Sequence, residues 1–365
     1  MASEMMVTFG EVMGRLVPPD HLRLRQVMPG SLDFTFGGAE ANIAVSLSRM
    51  GMKSRFVTAL PANPISEACI DDLRGHGVDT SGIVTGGSGR FGLYFVERGA
   101  NQRPSRVTYD REGSTVCLTP PDAYDWNALF SDARWFHVTG ITPAISSLAA
   151  DAALVAVQVA KERGLTVSMD LNFRGKLWKW EAGTKPKVLA GRVMRRFLPF
   201  VDILIGNEGD AEDILGIKAG ESDVETGALD IERYPAVAKK IAADFPNLRK
   251  IAITLRESIS ADCNKWGAML FDTASGKTAF APLTGGVYSP WQIADIVDRV
   301  GGGDAFGAGL IRALAGDEFT TDADAIAFAV AAGCLAHSIT GDYNLVSFDE
   351  VVTLMGGSGS GRVVR

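Results

Sequence analysis

The chain has 365 residues, of which 46% are hydrophobic and 22% charged, and it carries a formal net charge of -7. That apolar fraction excludes wholesale disorder, and the length allows two domains or one large α/β unit. The acidity argues against nucleic acid as the main partner, because neutralising phosphates needs a basic face.

From the N-terminus, residues 5–9 read as a short apolar strand that stops at Gly10. No basic segment followed by an apolar one precedes it, so no secretory signal is expected. Residues 12–36 are polar and contain prolines, which reads as loop and irregular strand. Ile43, Leu47 and Met50 share one helical face, and Gly51 stands where a C-terminal cap belongs. A strand at 55–60 and a short helix at 66–73 follow. Residues 91–97 and 106–109 read as a strand pair with no helix after either, which points to a small separate sheet.

From Trp135 onward strands and helices alternate: strands at 136–138, 165–171, 202–205 and 250–254, helices at 149–163, 187–198 and 236–244. A hairpin at 266–280 turns at Ser275-Gly276, and helices at 305–314, 324–337 and 349–355 close the chain. The acidic stretch 219–230 reads as a surface loop, and 356–365, rich in Gly and Ser, as a flexible tail. Such alternation implies an α/β fold with a mostly parallel central sheet flanked by helices on both faces, and ligands at the carboxyl ends of the strands. Polar residues cluster at three of those ends: Asp170-Leu171-Asn172-Phe173-Arg174, Gly206-Asn207-Glu208 and Thr254-Leu255-Arg256. No apolar run approaches the ~20 residues that span a bilayer. Cys69, Cys117, Cys263 and Cys334 are dispersed without a CxxC pair, which suits free thiols in a reducing cytoplasm. His21, His76, His137 and His337 are scattered too and suggest no metal site.

Two glycine motifs fail on context. Gly87-Ser88-Gly89-Arg90-Phe91-Gly92 matches GxGxxG but leads from a loop into a strand, whereas a dinucleotide fingerprint follows a strand and opens a helix. Gly276-Lys277-Thr278 is like the end of a phosphate-binding loop, yet Phe271 stands where its first glycine belongs. A third run, Asp298-Arg299-Val300-Gly301-Gly302-Gly303-Asp304-Ala305-Phe306, is different: three glycines and an aspartate precede a helix of small residues. Backbone N–H groups at such a turn make an anion site. Asp304 at the same end can accept a proton from a substrate hydroxyl, and the two together suit phosphoryl transfer to an alcohol. A helix N-cap after a flexible loop is the alternative reading.

This run resembles the C-terminal signature D-T-x-G-A-G-D-A/S-F of the PfkB/ribokinase family of carbohydrate kinases, with Arg299 for the usual Thr and Gly302 for the middle Ala. Gly37-Gly38-Ala39-Glu40-Ala41-Asn42-Ile43-Ala44 is similar to the family's G-G-x-x-x-N-x-A. Asn207-Glu208-Gly209-Asp210 is similar to its N-x-x-E, with Asp210 as a shorter second acid. The resemblance covers nearly the whole chain. It implies a single ribokinase-like catalytic domain over 1–365, with a small β-sheet lid inserted at about 12–36 and 88–116 that closes over the sugar and excludes water. It implies Asp304 as general base, and the backbone N–H groups of Gly301, Gly302 and Gly303 as stabilisers of the transferring phosphoryl. Asn207, Thr254 and Arg256, with Gly301 and Gly303, would lie near the nucleotide phosphates, and Gly37, Gly38 and Asn42 would face the sugar. ATP is the implied donor. Mg2+ would be held mainly by phosphates and water, with Asp210 or Glu212 assisting. Arg299 bears on the nucleotide contacts and on whether a monovalent cation takes part.

Within the family, four runs look like the 2-keto-3-deoxygluconate kinase branch: 10–16, 109–114, 170–178 and 337–344. That branch implies transfer to the terminal hydroxyl, giving the 6-phosphate. The residues agree with an acid sugar, since Arg111 and Arg174 can clamp a carboxylate, with Tyr94 and Tyr109 as hydroxyl donors and Asn172 counted with them. Arg111 could instead pair with Glu112 or a phosphate, and Arg174 could contact the nucleotide. A fructokinase, ribokinase or 2-keto-3-deoxygalactonate kinase is the alternative. A non-catalytic sugar-binding protein is a further one, against which the intact Asp304 and glycine run argue. Open edges of a lid sheet could pair with a second subunit, so a homodimer or higher homo-oligomer is expected, and neither nucleic acid nor membrane as partner.

Overall fold

Strand residues of alternate parity sort into two cores. Val7 and Phe9 pack on one face of the central sheet and Met6 on the other, and Ile251 and Ile253 oppose Ala252 in the same way. The computed structural model describes residues 4–218, 231 and 233–357. Within them a ten-stranded sheet runs Thr278–Ala281, Asn264–Asp272, Lys250–Ser258, Ile203–Asn207, Thr166–Asp170, Ala133–Thr139, Met5–Phe9, Ser54–Leu60, Ile83–Thr85, with Trp291–Ile293 added beside Asn264–Asp272. From Lys250–Ser258 to Ile83–Thr85 the pairs are parallel; the strands beyond Lys250–Ser258 are antiparallel. Helices Ser147–Glu162, Pro186–Phe197 and Arg233–Asp244 cover one face, and Ala39–Arg49, Gly302–Ala315 and Asp322–Ala336 the other. Both faces are therefore dry, which is why the inner strands read as near-continuous apolar runs. Each fully buried aromatic there, such as Phe136 or Phe306, contributes roughly 2 kcal/mol.

A second, four-stranded sheet has the order Asp33–Gly37, Met13–Val17, Gly92–Glu97, Arg106–Asp110. The segment 12–36, read as loop and irregular strand, holds two of these strands, joined through the one-turn helix Leu24–Val27. Met13–Val17 pairs in parallel with Gly92–Glu97, while the two outer pairs are antiparallel. Hydrophobic alternation is broken here because Phe34 faces solvent while the charged Arg15 is buried. The helix read from Ile43, Leu47 and Met50 is Ala39–Arg49, with Gly51 at φ +85° after it. The strand at 250–254 extends to Ser258, and the hairpin turns with Gly276 at φ +68°. The three-residue strand Ile83–Thr85 is too short to show a period and was not predicted. The acidic stretch 219–230, and the tail beyond Gly357, lie outside the described residues. Among the described residues no helix is long and apolar enough to cross a membrane. The four cysteines are free.

Candidate active site

The carboxyl ends of the parallel strands and one face of the four-stranded sheet enclose a cleft of about 680 Å3. Strand register builds its floor. Asp170 is level with Thr139 and Ile205 on its neighbours, and Asn207 with Thr254. Asp210 ties two strand ends together: its Oδ1 accepts the Phe173 N–H at 3.0 Å and its Oδ2 the Asn207 N–H at 3.1 Å. Asn207 Oδ1 accepts the Asp210 N–H at 2.9 Å in return.

Asp304 stands in the first turn of Gly302–Ala315. Gly301 caps that helix at φ +85°, and a Cβ on it would collide with the Asp342 carbonyl oxygen, so glycine is required there. Gly301 and Gly303 line the cleft, which puts the free first-turn N–H groups and the positive end of the helix dipole at its wall. Asn42, buried in Ala39–Arg49, donates from Nδ2 to Asp304 Oδ2 at 2.6 Å, and its Oδ1 accepts the Gly38 N–H at 3.2 Å. Gly38 permits this approach, since a side chain on it would strike the Glu11 carbonyl. Burial pushes the Asp304 carboxyl up to about 7; Asp342 and Glu40 add to the rise, while the Asn42 bond and Arg174 oppose it. A carboxylate so tuned is basic enough to accept a hydroxyl proton near neutral pH.

Other charges complete the wall. Asp342 Oδ2 accepts the Tyr94 hydroxyl at 2.6 Å, and burial raises the Asp342 carboxyl to about 6 against the pull of Arg15 and Tyr94. Arg111 donates from Nε to Glu11 Oε2 at 2.7 Å and from Nη2 to the same oxygen. Arg174, Arg256 and Arg299 also line the cleft. Burial, then repulsion from Arg299 and Arg174, lowers the Arg256 pKa, a cost that a polyphosphate among the three would relieve.

Residues 3–255 match the profile of the pfkB family carbohydrate kinases. The chain belongs to this family. It is therefore an enzyme, a carbohydrate kinase. It is similar to the crystal structure of 2-dehydro-3-deoxygluconokinase from Thermotoga maritima, at 41% identity and a TM-score of 0.86, over 97% of this chain and 100% of that one. It is 32% identical to the 2-dehydro-3-deoxygalactonokinase of Haloferax volcanii over 98% of each chain. Fructokinase-2 of Solanum lycopersicum is 26% identical over 98% of this chain and 97% of its own.

The kinase cleft gathers most residues singled out in the sequence. Asp304, Gly301 and Gly303 meet Gly38 and Asn42; Tyr94, Tyr109 and Arg111 come from the lid sheet and its exit; Asn172, Arg174, Asn207, Asp210, Thr254 and Arg256 come from strand ends. Three others are not at the cleft surface. Gly37 packs behind it against Asp342 and the Tyr94 hydroxyl, and Gly302 packs against the His337 ring. Glu212 lies past Asp210 in the π-helical turn Ala211–Leu215, exposed and 3.5 Å from Lys218, so it does not join Asp210. Within the protein Arg111 pairs with Glu11, 100 residues away, and not with the Glu112 of the alternative reading. Tyr94 donates to Asp342 and not into open space. Glu11, Asp170 and Asp342 line the cleft without a role read from sequence, beside Arg299. Each lies inside a motif run, so an ionisable residue within such a run was the available signal. Among the described residues no group of three or more His, Cys, Asp or Glu could hold a metal.

Proposed function

We propose that this kinase transfers the γ-phosphoryl group of ATP to the terminal hydroxyl of 2-keto-3-deoxy-D-gluconate, giving the 6-phosphate and ADP. The reading is carried by Asp304, lifted to about 7 and held by Asn42 at the N-terminal end of the glycine helix. Its carboxylate accepts the hydroxyl proton as the oxygen attacks phosphorus; the bond to the ADP oxygen breaks and that electron pair leaves with ADP. Free N–H groups of Gly301 and Gly303, which line the cleft, take up charge growing on the transferred group. Arg256 and Arg299 neutralise the nucleotide phosphates beside Asn207 and Thr254. Magnesium, when bound, supplies further neutralisation across the phosphates. Phosphates and water would hold it mainly, with Asp210 assisting through water, since both Asp210 oxygens already accept N–H groups.

Support for an acid sugar comes from two arginines. Arg111 has donors left beyond its bonds to Glu11 and lies 5.4 Å over the Tyr109 ring. Arg174 is exposed to the cleft, and among the described residues its one hydrogen bond is a 3.4 Å contact to the Phe173 carbonyl. The galactonate epimer is the second reading, supported by the relative from Haloferax volcanii. An ATP-consumption assay with 2-keto-3-deoxygluconate, 2-keto-3-deoxygalactonate, fructose and ribose tests both. The gluconate should show the highest kcat/KM. Preference for the galactonate would overturn the epimer assignment, and preference for a neutral sugar the acid-sugar reading. The uncovered edges of the lid sheet at Asp33–Gly37 and Arg106–Asp110 make a homodimer part of the reading.

A further inference from the structure

Arg15 has no part in the chemistry above, yet at 1% exposure it is among the largest fully buried side chains of the protein. A guanidinium held out of water needs partners. Its Nη2 lies 2.5 Å from Asp298 Oδ2 and its Nη1 3.0 Å from Asp342 Oδ1. Both acids sit on the loops that build the anion site. Asp298 Oδ1 accepts the Val300 N–H at 3.2 Å, and Oδ2 accepts the Gly341 N–H at 3.3 Å. Asp298 therefore shapes the turn entering the glycine run and fastens the Asp342 loop to it. The Asp342 carbonyl fills the space that a side chain on Gly301 would need. Asn42 hydrogen-bonds the Asp304 carboxyl at 2.6 Å, and Asp342 lines the same cleft wall. The clamp thus reaches the base through the glycine turn: Asp298 and the Asp342 carbonyl fix Val300 and Gly301, and Asp304 opens the helix three residues on, where Asn42 holds it.

The location of Arg15 matters as much as its partners. It is carried by the lid strand Met13–Val17, level with Tyr94 on the next strand. An apolar filler would serve stability as well as a buried ion pair does. A planar fork bridging two loops of the catalytic centre is what positioning requires. We propose that Arg15 is a positioning residue for phosphoryl transfer: it clamps Asp298 to Asp342, holds the glycine turn in shape, and through that turn orients Asp304, which Asn42 holds from the other side, towards the hydroxyl. The inference rests on Asp304 as base and not on which sugar is phosphorylated.

Steady-state kinetics with variants test it. Arg15→Gln should lower kcat by about tenfold or more while either KM changes by less than about threefold, because the binding groups stay and only the reacting geometry is lost. Arg15→Lys keeps a charge without the fork and should recover part of that loss. Combined with Asn42→Ala, Arg15→Gln should cost little beyond the slower single variant, since both act on the orientation of the one carboxylate, Asp304. Additive losses in kcat would overturn the proposal. So would a raised KM with kcat kept, or a lower Tm with turnover per folded molecule unchanged. If Arg15→Gln does not fold, Arg15→Lys with and without Asn42→Ala carries the same comparison. Asp304→Asn run in parallel keeps the two readings apart. Retained turnover there removes the base assignment, whereas an inactive Asp304→Asn beside unaffected Arg15 variants removes only the clamp.

Discussion

Replacing Asp304 with asparagine separates the proposed catalytic use of this carboxylate from its cost to the fold. The amide keeps the side-chain shape and can still bond Asn42, which reaches Asp304 at 2.6 Å, but it cannot accept the proton. Loss of a general base costs roughly 10^2–10^4-fold in turnover. Stability should move the other way. The Asp304 pKa is raised from 3.8 to about 7, so its favourable contribution is complete below the unfolded value and is lost as pH rises through the folded one. About 3 pH units at about 1.4 kcal/mol each amount to ~4 kcal/mol. Water reaching Asp304 from the cleft reduces this to about 2 kcal/mol. At ~2 cal/mol/K per residue of unfolding entropy, the variant should melt ~3 °C above the parent at alkaline pH. The gain should shrink steadily as pH falls from about 7 towards about 4. Thermal melts across that range, beside a coupled ADP-release assay, read both effects. Parental kcat should itself decline as pH drops below about 7, because Asp304 takes up a proton. A variant that keeps more than about a tenth of parental turnover refutes the base assignment. One that is no more stable than the parent above about pH 7 refutes the burial argument.

Gly301→Ala should lose most activity and roughly 1–3 kcal/mol of stability, because φ +85° and the Asp342 carbonyl both exclude a side chain. Gly303→Ala meets nothing within 4 Å, so it should melt like the parent and raise the KM for ATP in kinetic assays. Arg174→Ala should raise the KM for the keto acid by roughly tenfold, the value of one charge-assisted contact, and an unchanged KM would remove Arg174 from the acid-sugar clamp. Glu212→Ala, at an exposed residue paired with Lys218, should leave kcat and its magnesium dependence as they are; a weakened magnesium response would return this acid to the metal site.

Helices and strands of the main domain were legible because each buries a continuous face. Ile43, Leu47 and Met50 repeat at helical spacing, and the inner strands are apolar throughout. The lid strands at 12–36 were not, because their buried face carries Arg15 and their outer face carries Phe34, the reverse of the usual pattern. The same holds for the site. Glycines, an aspartate and a helix start advertise an anion cradle within nine consecutive residues, and the polar strand ends advertise a floor. Their chemistry is local: a left-handed turn needs glycine, and the N–H groups of a first helical turn are unpaired whatever surrounds them.

The partners of the buried charges needed the fold. Asn42 meets Asp304 across 262 residues, Arg15 meets Asp298 across 283, and Arg111 meets Glu11 across 100. No periodicity encodes such pairs. They follow from the order in which strands enter the sheet and from the lid strand laid over it, which decide which loops share one dry space. That space then sets the protonation of Asp304 and Asp342, since desolvation is the main cause of both shifts. Residue order along the chain was sufficient to say that a phosphate and a hydroxyl would be bound. How basic the catalytic carboxylate is, and what holds it, is a property of enclosure.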